Sequence, residues 1–162
     1  MVQIRPATET DAAAMAEVHH SAVHGIATEH YDHAVLDAWS PAVIPERVAL
    51  FRDTVKRGEE MMIVAELDGR VMGFGSIVPA ANELRAVYVA AAHASHGVGS
   101  SILAELERLA RAAGCPELHM DASLNAEVFY RNRGYIATGR ADHRTRSGGS
   151  VPAVQMRKLL TP

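Results

Sequence analysis

Gly97 and Gly99 mark an abrupt change of hydrophobic period in this sequence. The run Glu83–Val89, which precedes them, is rich in β-forming residues and is typical of a strand. After the glycines, apolar side chains recur at helical spacing, at Ile102, Leu103, Leu106, Leu109, Ala110 and Ala113. Gly114 then stands where a left-handed helix cap belongs. The pattern predicts a strand, a glycine turn and a long amphipathic helix.

The first turn of this predicted helix is a candidate anion site. Its backbone N–H groups lack helical partners and carry a partial positive charge, and glycine lets a phosphate approach them closely. A triphosphate loop would continue with Lys and then Ser or Thr, whereas Ser100 and Ser101 follow Gly99 here. A dinucleotide fingerprint needs a third glycine where Ile102 stands. Nucleoside triphosphates and nicotinamide dinucleotides are therefore disfavoured.

The chain before the turn is predicted to be a meander of antiparallel strands. Two β-rich runs, Met61–Leu67 and 71–78, flank Asp68-Gly69, a dipeptide that favours a tight hairpin. The strand Glu83–Val89 follows after a short connection. Because a long helix joins that strand to the next β-rich run, 117–120, we expect those two strands to lie parallel.

The other segments complete a mixed sheet covered by helices, an α/β (α+β) fold. Pro41 and Pro45 interrupt the helical pattern at 31–56, which predicts two short helices there. The remaining predicted elements are a strand at 3–5, a helix after Thr8 or Thr10, a short helix at 125–131, and strands at 135–139 and 154–160 around a loop at 147–150.

Composition limits the function classes. A length of 162 residues suits one domain, expected to span 1–162. The net charge of -3 gives no general attraction to nucleic acid, and Cys115, the single cysteine, excludes an intramolecular disulfide. The N-terminus lacks an apolar signal region, and no apolar run approaches the roughly 20 residues of a membrane-spanning helix. We expect a cytoplasmic protein that binds neither nucleic acid nor membrane.

Two motifs resemble those of the GNAT superfamily of acetyl-CoA-dependent N-acetyltransferases. Gly97-Val98-Gly99 matches the glycines of its Q/R-x-x-G-x-G/A motif, although Ala94 replaces the usual Gln or Arg. The segment 124–135 resembles N-x-x-A-x-x-F-Y-x-K-x-G-F, with the Asn-to-Ala spacing shortened. The resemblance implies a mostly antiparallel sheet with a splayed parallel pair in its middle and helices on both faces.

The resemblance also implies that the chain moves an acetyl group from acetyl-CoA to a primary amine, by direct attack in a ternary complex. The glycine turn would bind the pyrophosphate, the pantetheine arm would fill the gap between the splayed strands, and the Val89 N–H would face the thioester oxygen. No metal is expected. The residues predicted to bind CoA are Val87, Val89, Ala94, Ser95, His96, Gly97, Val98, Gly99, Ser100, Asn125 and Tyr130. Asn125 has a second interpretation, as the N-cap of the following helix.

Two side chains are candidates for proton transfer. Tyr130 stands where the family commonly places the general acid that protonates the departing thiolate; alternatively, Phe129 and Tyr130 are a packed aromatic pair. Glu83 is the candidate base. Strict alternation along the strand would place it on one face with Arg85, Val87 and Val89, unless a bulge shifts the parity; alternatively, it is a solvated surface charge.

The acceptor site carries no recognisable signature. Histidines crowd the region that lines the acceptor pocket in the family, and we take His20, His24, Tyr31 and Trp39 as its candidates. The spacing of His20 and His24 suits zinc, but no further ligand pattern accompanies them, and Trp39 is equally explained as a buried helix residue. The acceptor is expected to be a small-molecule or peptide amine, and the protein a monomer or homodimer.

Two other functions fit the same sequence. One is a non-catalytic acyl-CoA sensor, in which the glycine turn binds ligand but Glu83 and Tyr130 are only structural. The other is an interaction domain that has lost cofactor binding, which the replacement at Ala94 would allow.

Overall fold

The computed structural model describes residues 1–145 and 148–160. Along these residues, strands and α-helices follow one another in the order that the sequence predicts. The strands are β1 Gln3–Pro6, β2 Met61–Leu67, β3 Arg70–Val78, β4 Glu83–Val89, β5 Glu117–Ser123, β6 Ile136–Arg144 and β7 Ser150–Leu159. The α-helices are α1 Ala12–Ile26, α2 His33–Trp39, α3 Pro45–Arg57, α4 Val98–Ala112 and α5 Glu127–Arg131.

The strands form one sheet in the order β1-β2-β3-β4-β5-β7-β6. Every neighbouring pair is antiparallel except β4 and β5, which run parallel as predicted. That pair makes only one register contact, Glu83 with His119, where the His119 N–H donates to the Asn82 carbonyl at 2.9 Å. Beyond this point the two strands diverge and leave a gap in the middle of the sheet.

Helices cover both faces of the sheet. One core contains Ile102, Leu103 and Leu106 of α4 and apolar residues of the central strands, and the opposite core joins Met15 of α1 to Phe74 of β3. The α4 side depends on glycine in β3: a Cβ at Gly75 would lie 2.6 Å from Ile102 Cγ2 and 2.8 Å from the Ala86 carbonyl oxygen. Glycine therefore allows α4 to pack close to the centre of the sheet.

Several predicted boundaries differ from the observed ones near the C-terminus. The predicted strand 117–120 extends to Ser123, and the predicted strands 135–139 and 154–160 become the longer hairpin of β6 and β7. Their mutual pairing lengthens both strands, and a long-range partner of this kind leaves little trace in local sequence. Ser147, in the predicted loop, lies outside the described residues. None of the described helices is long and apolar enough to cross a membrane.

Candidate active site

The turn before α4 presents backbone amides that no side chain caps. Ser95 and Gly97 have φ values of 64° and 82°, and the His96 Nδ1–H donates to the Ala94 carbonyl at 2.7 Å, which folds the loop back on itself. Gly97 is the N-cap of α4; no described side chain caps the helix, and an added Cβ would meet no atom within 4 Å. The leading amides of α4, from Val98 onward, therefore face an open surface, as an anion site requires.

A guanidinium lies beside this turn. Arg133 donates to Ser100 Oγ, in the first turn of α4, and to the Phe129 carbonyl at 2.8 Å. Its guanidinium carbon lies 3.9 Å from the centroid of the Phe129 ring, and that ring packs 3.5 Å from where a Cβ of Gly99 would stand. Positive charge is thus fixed next to the turn, although Ala94 brings none.

The gap between β4 and β5 opens beyond Glu83, and at the C-terminal end of β4 the Val89 Cγ2 lies 3.6 Å from where a Cβ of Gly99 would stand. The Ala90 N–H donates to the Met72 carbonyl of β3 at 2.8 Å. Because successive N–H groups of a strand point to opposite edges, those of Val87 and Val89 point away from β3 and into the gap. The residues lining the gap are Trp39, Leu84, Arg85, Ala86, Val87, Tyr88, Met120, Asp121, Ala122, Ser123, Ala126, Tyr130, His143, Val151 and Ala153.

Tyr130 and Asn125 lie beside the gap in environments that suit a bound ligand. Tyr130 is only 6% exposed, and burial raises the pKa of its phenol well above the usual value, so the hydroxyl is protonated at neutral pH. Asn125 Oδ1 is buried and has no hydrogen-bond partner among the described residues. The N-cap position of α5 belongs to Ala126, so Asn125 does not have the capping role that the sequence left open.

Glu83 does not share a face with Val87 and Val89, because a β-bulge interrupts the alternation of β4. Leu84 pairs with Ile77 and Ala86 with the adjacent Ser76, so Arg85 is the additional residue. Leu84, Val87 and Val89 pack into the core beneath α4, whereas Glu83 lines a separate cavity on the opposite face. The bulge that the sequence left possible is therefore present, and it places Glu83 on the other face of β4.

In that cavity the Glu83 carboxylate belongs to an ion-pair network. Arg85 donates from Nη2 and Nε to Glu83 at 2.8 and 3.2 Å, and from Nη1 to Glu60 at 3.0 Å. Glu60 is buried and also accepts from Ser76 Oγ at 2.9 Å. These hydrogen bonds raise the pKa of Arg85, with Glu83 as the largest cause. The network holds Glu83 at the edge of the cavity.

This second cavity has a volume of about 340 Å³ and adjoins the gap. The two share Trp39, Arg85, Ala86, Tyr88 and His143. We call it the acceptor cavity, and its lining residues are His19, Trp39, Arg47, Leu50, Phe51, Thr54, Glu60, Met62, Phe74, Ser76, Glu83, Arg85, Ala86, Tyr88, His143, Arg144 and Thr145.

Among the predicted acceptor residues, only Trp39 lines either cavity. His24 bonds through Nε2 to the Ser40 carbonyl at 2.8 Å, and the His20 ring stacks on it with centroids 4.2 Å apart. The Tyr31 hydroxyl donates to the Pro152 carbonyl at 2.5 Å and accepts from the Leu124 N–H at 2.8 Å, so it ties the loop before α2 to the sheet. The described residues contain no group of three or more His, Cys, Asp or Glu side chains arranged to hold a metal ion.

His19 lines the acceptor cavity instead, although its spacing did not distinguish it from the neighbouring histidines. Its Nδ1 lies 3.0 Å from Arg47 Nη2 and 2.7 Å from Ser40 Oγ. A guanidinium only donates, so Nδ1 accepts and the ring proton resides on Nε2. Phe51 and Tyr88 also line the acceptor cavity, although in the sequence they look like ordinary apolar positions of a helix and a strand.

The described residues thus form a mixed sheet with a splayed parallel pair in its centre and an uncapped helix N-terminus after one of those strands. The model of the acetyltransferase (GNAT) family matches residues 19–135. The chain belongs to this family. No curated protein is similar enough to the chain to count as a match.

Solved structures of the family superimpose over nearly the whole chain. A GCN5-related N-acetyltransferase from Rhodopseudomonas palustris, also titled a class-II aminotransferase, has a TM-score of 0.87 and 28% identity, covering 97% of this chain and 94% of its own. PaiA N-acetyltransferase from Thermoplasma acidophilum, solved with coenzyme A, has a TM-score of 0.78 and 18% identity, covering 98% of this chain and 99% of its own. The yncA protein of Salmonella typhimurium, solved with its cofactor acetyl-CoA, has a TM-score of 0.70 and 20% identity, covering 100% of this chain and 95% of its own.

Proposed function

We propose that this chain transfers the acetyl group of acetyl-CoA to a primary amine by direct attack in a ternary complex. The observation that carries the proposal is the continuity of three features: the uncapped amides at the start of α4, the gap between β4 and β5, and the acceptor cavity that adjoins it. Two ligands entering from opposite sides would meet beside Ala86 and Tyr88, which line both spaces.

The residues present fit coenzyme A. The α4 amides and the nearby Arg133 suit a diphosphate, since a helix N-terminus and a guanidinium both favour anions. The buried Asn125 Oδ1 has no described partner and suits an N–H of the pantetheine arm. The inward N–H groups of Val87 and Val89 suit the thioester oxygen. Acetyl-CoA supplies the activated acetyl group.

Proton transfer is assigned to Tyr130 and Glu83. The Tyr130 phenol carries a proton at neutral pH, and because burial raises its pKa further above that of a thiol, it protonates the departing thiolate only when positioned close to the sulfur as the carbon–sulfur bond breaks. The Glu83 carboxylate, held by Arg85, takes a proton from the bound ammonium, directly or through one water, so that the nitrogen lone pair can attack the thioester carbon. The ammonium gives one proton to Glu83, which releases it to solvent, and the second proton, lost as the carbon–nitrogen bond forms, replaces the one that Tyr130 gives to the sulfur.

The experiment is steady-state release of CoA thiol from acetyl-CoA with a panel of primary amines, with acetylated product identified by mass spectrometry. Amine-dependent thiol release is expected. Saturable binding of acetyl-CoA without thiol release with any amine would contradict the proposal and favour the acyl-CoA sensor. Absence of any acetyl-CoA-dependent thermal shift would favour an interaction domain without cofactor.

A further inference from the structure

Aromatic side chains are scarce in this chain but concentrated at one site. The sequence holds one Trp, four Tyr and three Phe. Half of these eight, Trp39, Phe51, Phe74 and Tyr88, line the acceptor cavity, together with the imidazole of His19. They come from α2, α3, β3 and β4, so no local sequence bias explains their convergence.

The five rings form one connected surface. Tyr88 lies at its centre, with ring centroids 4.4 Å from His19, 5.5 Å from Phe74 and 6.3 Å from Trp39. Phe51 closes the far side, 5.7 Å from Phe74 at an interplanar angle of 90°. The edge-to-face arrangement of Phe51 with Phe74 is a favourable one for an aromatic pair. A further ring entering the cavity would meet several partners at once.

Arg85 lines both the acceptor cavity and the gap and holds Glu83 and Glu60. Arg47, in contrast, lies among the rings, with its guanidinium carbon 5.6 Å from the Phe51 centroid. Ala86 and Tyr88 line both cavities, and Glu83 stands three residues before Ala86 in the same strand. The carboxylate of Glu83 is fixed by two hydrogen bonds from Arg85. An amine at the junction would therefore lie near a carboxylate while its substituent extends along the rings.

The size of the cavity limits that substituent. A volume of about 340 Å³ lies near the small end of the 300–1,000 Å³ typical of small-molecule sites. One ring on a short arm fits that space better than a large polycyclic amine.

We propose that the acceptor is an arylalkylamine, a primary amine joined by a short arm to a single aromatic ring. This inference rests on the proposed acetyl transfer and specifies its substrate class. The amine nitrogen forms the amide bond as the thioester carbon–sulfur bond breaks, its proton passes to the base, and the thiolate is protonated. The aromatic ring binds against Phe51 and Tyr88, with the buried Phe74 packed against both.

The test compares 2-phenylethylamine with 2-cyclohexylethylamine, which has similar size but no π system, and with a linear diamine and a lysine peptide. The expected result is a kcat/KM for the phenyl compound at least about threefold above that for the cyclohexyl compound, and above those for the other two. Equal use of the phenyl and cyclohexyl amines, or preference for the diamine or the peptide, would overturn the inference while leaving acetyl transfer intact.

A matched pair of variants locates the effect. Phe51→Leu removes a ring from the aromatic surface, and Phe51→Tyr keeps one. The phenyl-over-cyclohexyl ratio is expected to fall about threefold or more in Phe51→Leu and to be kept in Phe51→Tyr. A ratio that is the same in both variants would overturn the assigned ring position. Circular dichroism checks that both variants fold.

Binding is measured separately through Trp39, the single tryptophan of the chain, which lines the cavity. Titration with 2-phenylethylamine is expected to change its fluorescence saturably. This response without thiol release from any amine would support the ligand class and contradict acetyl transfer. No response to the phenyl compound, together with turnover of an aliphatic amine, would contradict the ligand class alone.

Discussion

Gly97→Val is expected to weaken the binding of CoA and acetyl-CoA at least about tenfold. Gly97 has a φ of 82°, and a left-handed conformation costs an L side chain roughly 1–2 kcal/mol. The added side chain would also stand where a phosphate approaches the α4 amides. Losing one hydrogen bond to a charged group costs about 1.5–3 kcal/mol, which is roughly a 10- to 100-fold loss of affinity.

Gly114→Val is the matched control for this prediction. Gly114 follows the other end of α4, has a φ of 80°, and likewise has open space around an added Cβ. Both variants should therefore lose similar amounts of folding stability, but only Gly97→Val should lose affinity for CoA. Isothermal titration calorimetry measures the affinity, and thermal unfolding measures the stability. Equal affinities of the two variants, or wild-type affinity in Gly97→Val, would refute a phosphate site at the α4 amides.

Three further variants test the other assignments. Tyr130→Phe should lower kcat at least about tenfold with little change in acetyl-CoA affinity, because a general acid acts in the transition state; unchanged turnover would remove that role. Glu83→Gln should lower kcat/KM for the amine most at neutral pH and progressively less as the pH nears the amine's pKa, and a pH-independent deficit would argue against a base. Asp11 has its pKa lowered from 3.8 to about 2, chiefly by hydrogen bonds from Arg5, so its carboxylate stabilises the fold above pH 4 and this contribution is lost as the pH falls towards 2. Asp11→Asn should therefore lower the free energy of unfolding by about 1–2 kcal/mol at pH 7. This loss should become smaller in acid, as urea unfolding at several pH values would reveal. A loss of stability that does not change with pH would contradict the ion pair.

The sequence predicts the backbone of the proposed cofactor site well because that structure is local. A turn with positive φ at Gly97 and a helix that begins directly after it depend on neighbouring residues, and both are observed. The two GNAT-like motifs come together where the Phe129 ring packs against Gly99. The face of β4 on which Glu83 lies could not be predicted in this way, because the bulge at Arg85 arises from pairing with β3 and has no local signal.

The acceptor side depends on packing between distant elements. Five histidines occur in and near α1 and α2, and the rotation of α1 against the sheet selects His19 rather than His20 or His24 to line the cavity. Phe51 looks like an ordinary apolar residue of an amphipathic helix until β3 and β4 bring further rings beside it. The Tyr31 hydroxyl donates to the carbonyl of Pro152, 121 residues away in the chain, and so has a structural role that the local sequence does not indicate.

The most direct test of the account is a CoA titration followed by backbone amide NMR. The account predicts that the amide signals of Val98, Gly99 and Ser100 shift most, with those of Val87 and Val89 shifting further when acetyl-CoA replaces CoA. Saturable binding that leaves the α4 amides unshifted would contradict the claim that this helix N-terminus binds the diphosphate and directs the thioester into the gap between β4 and β5.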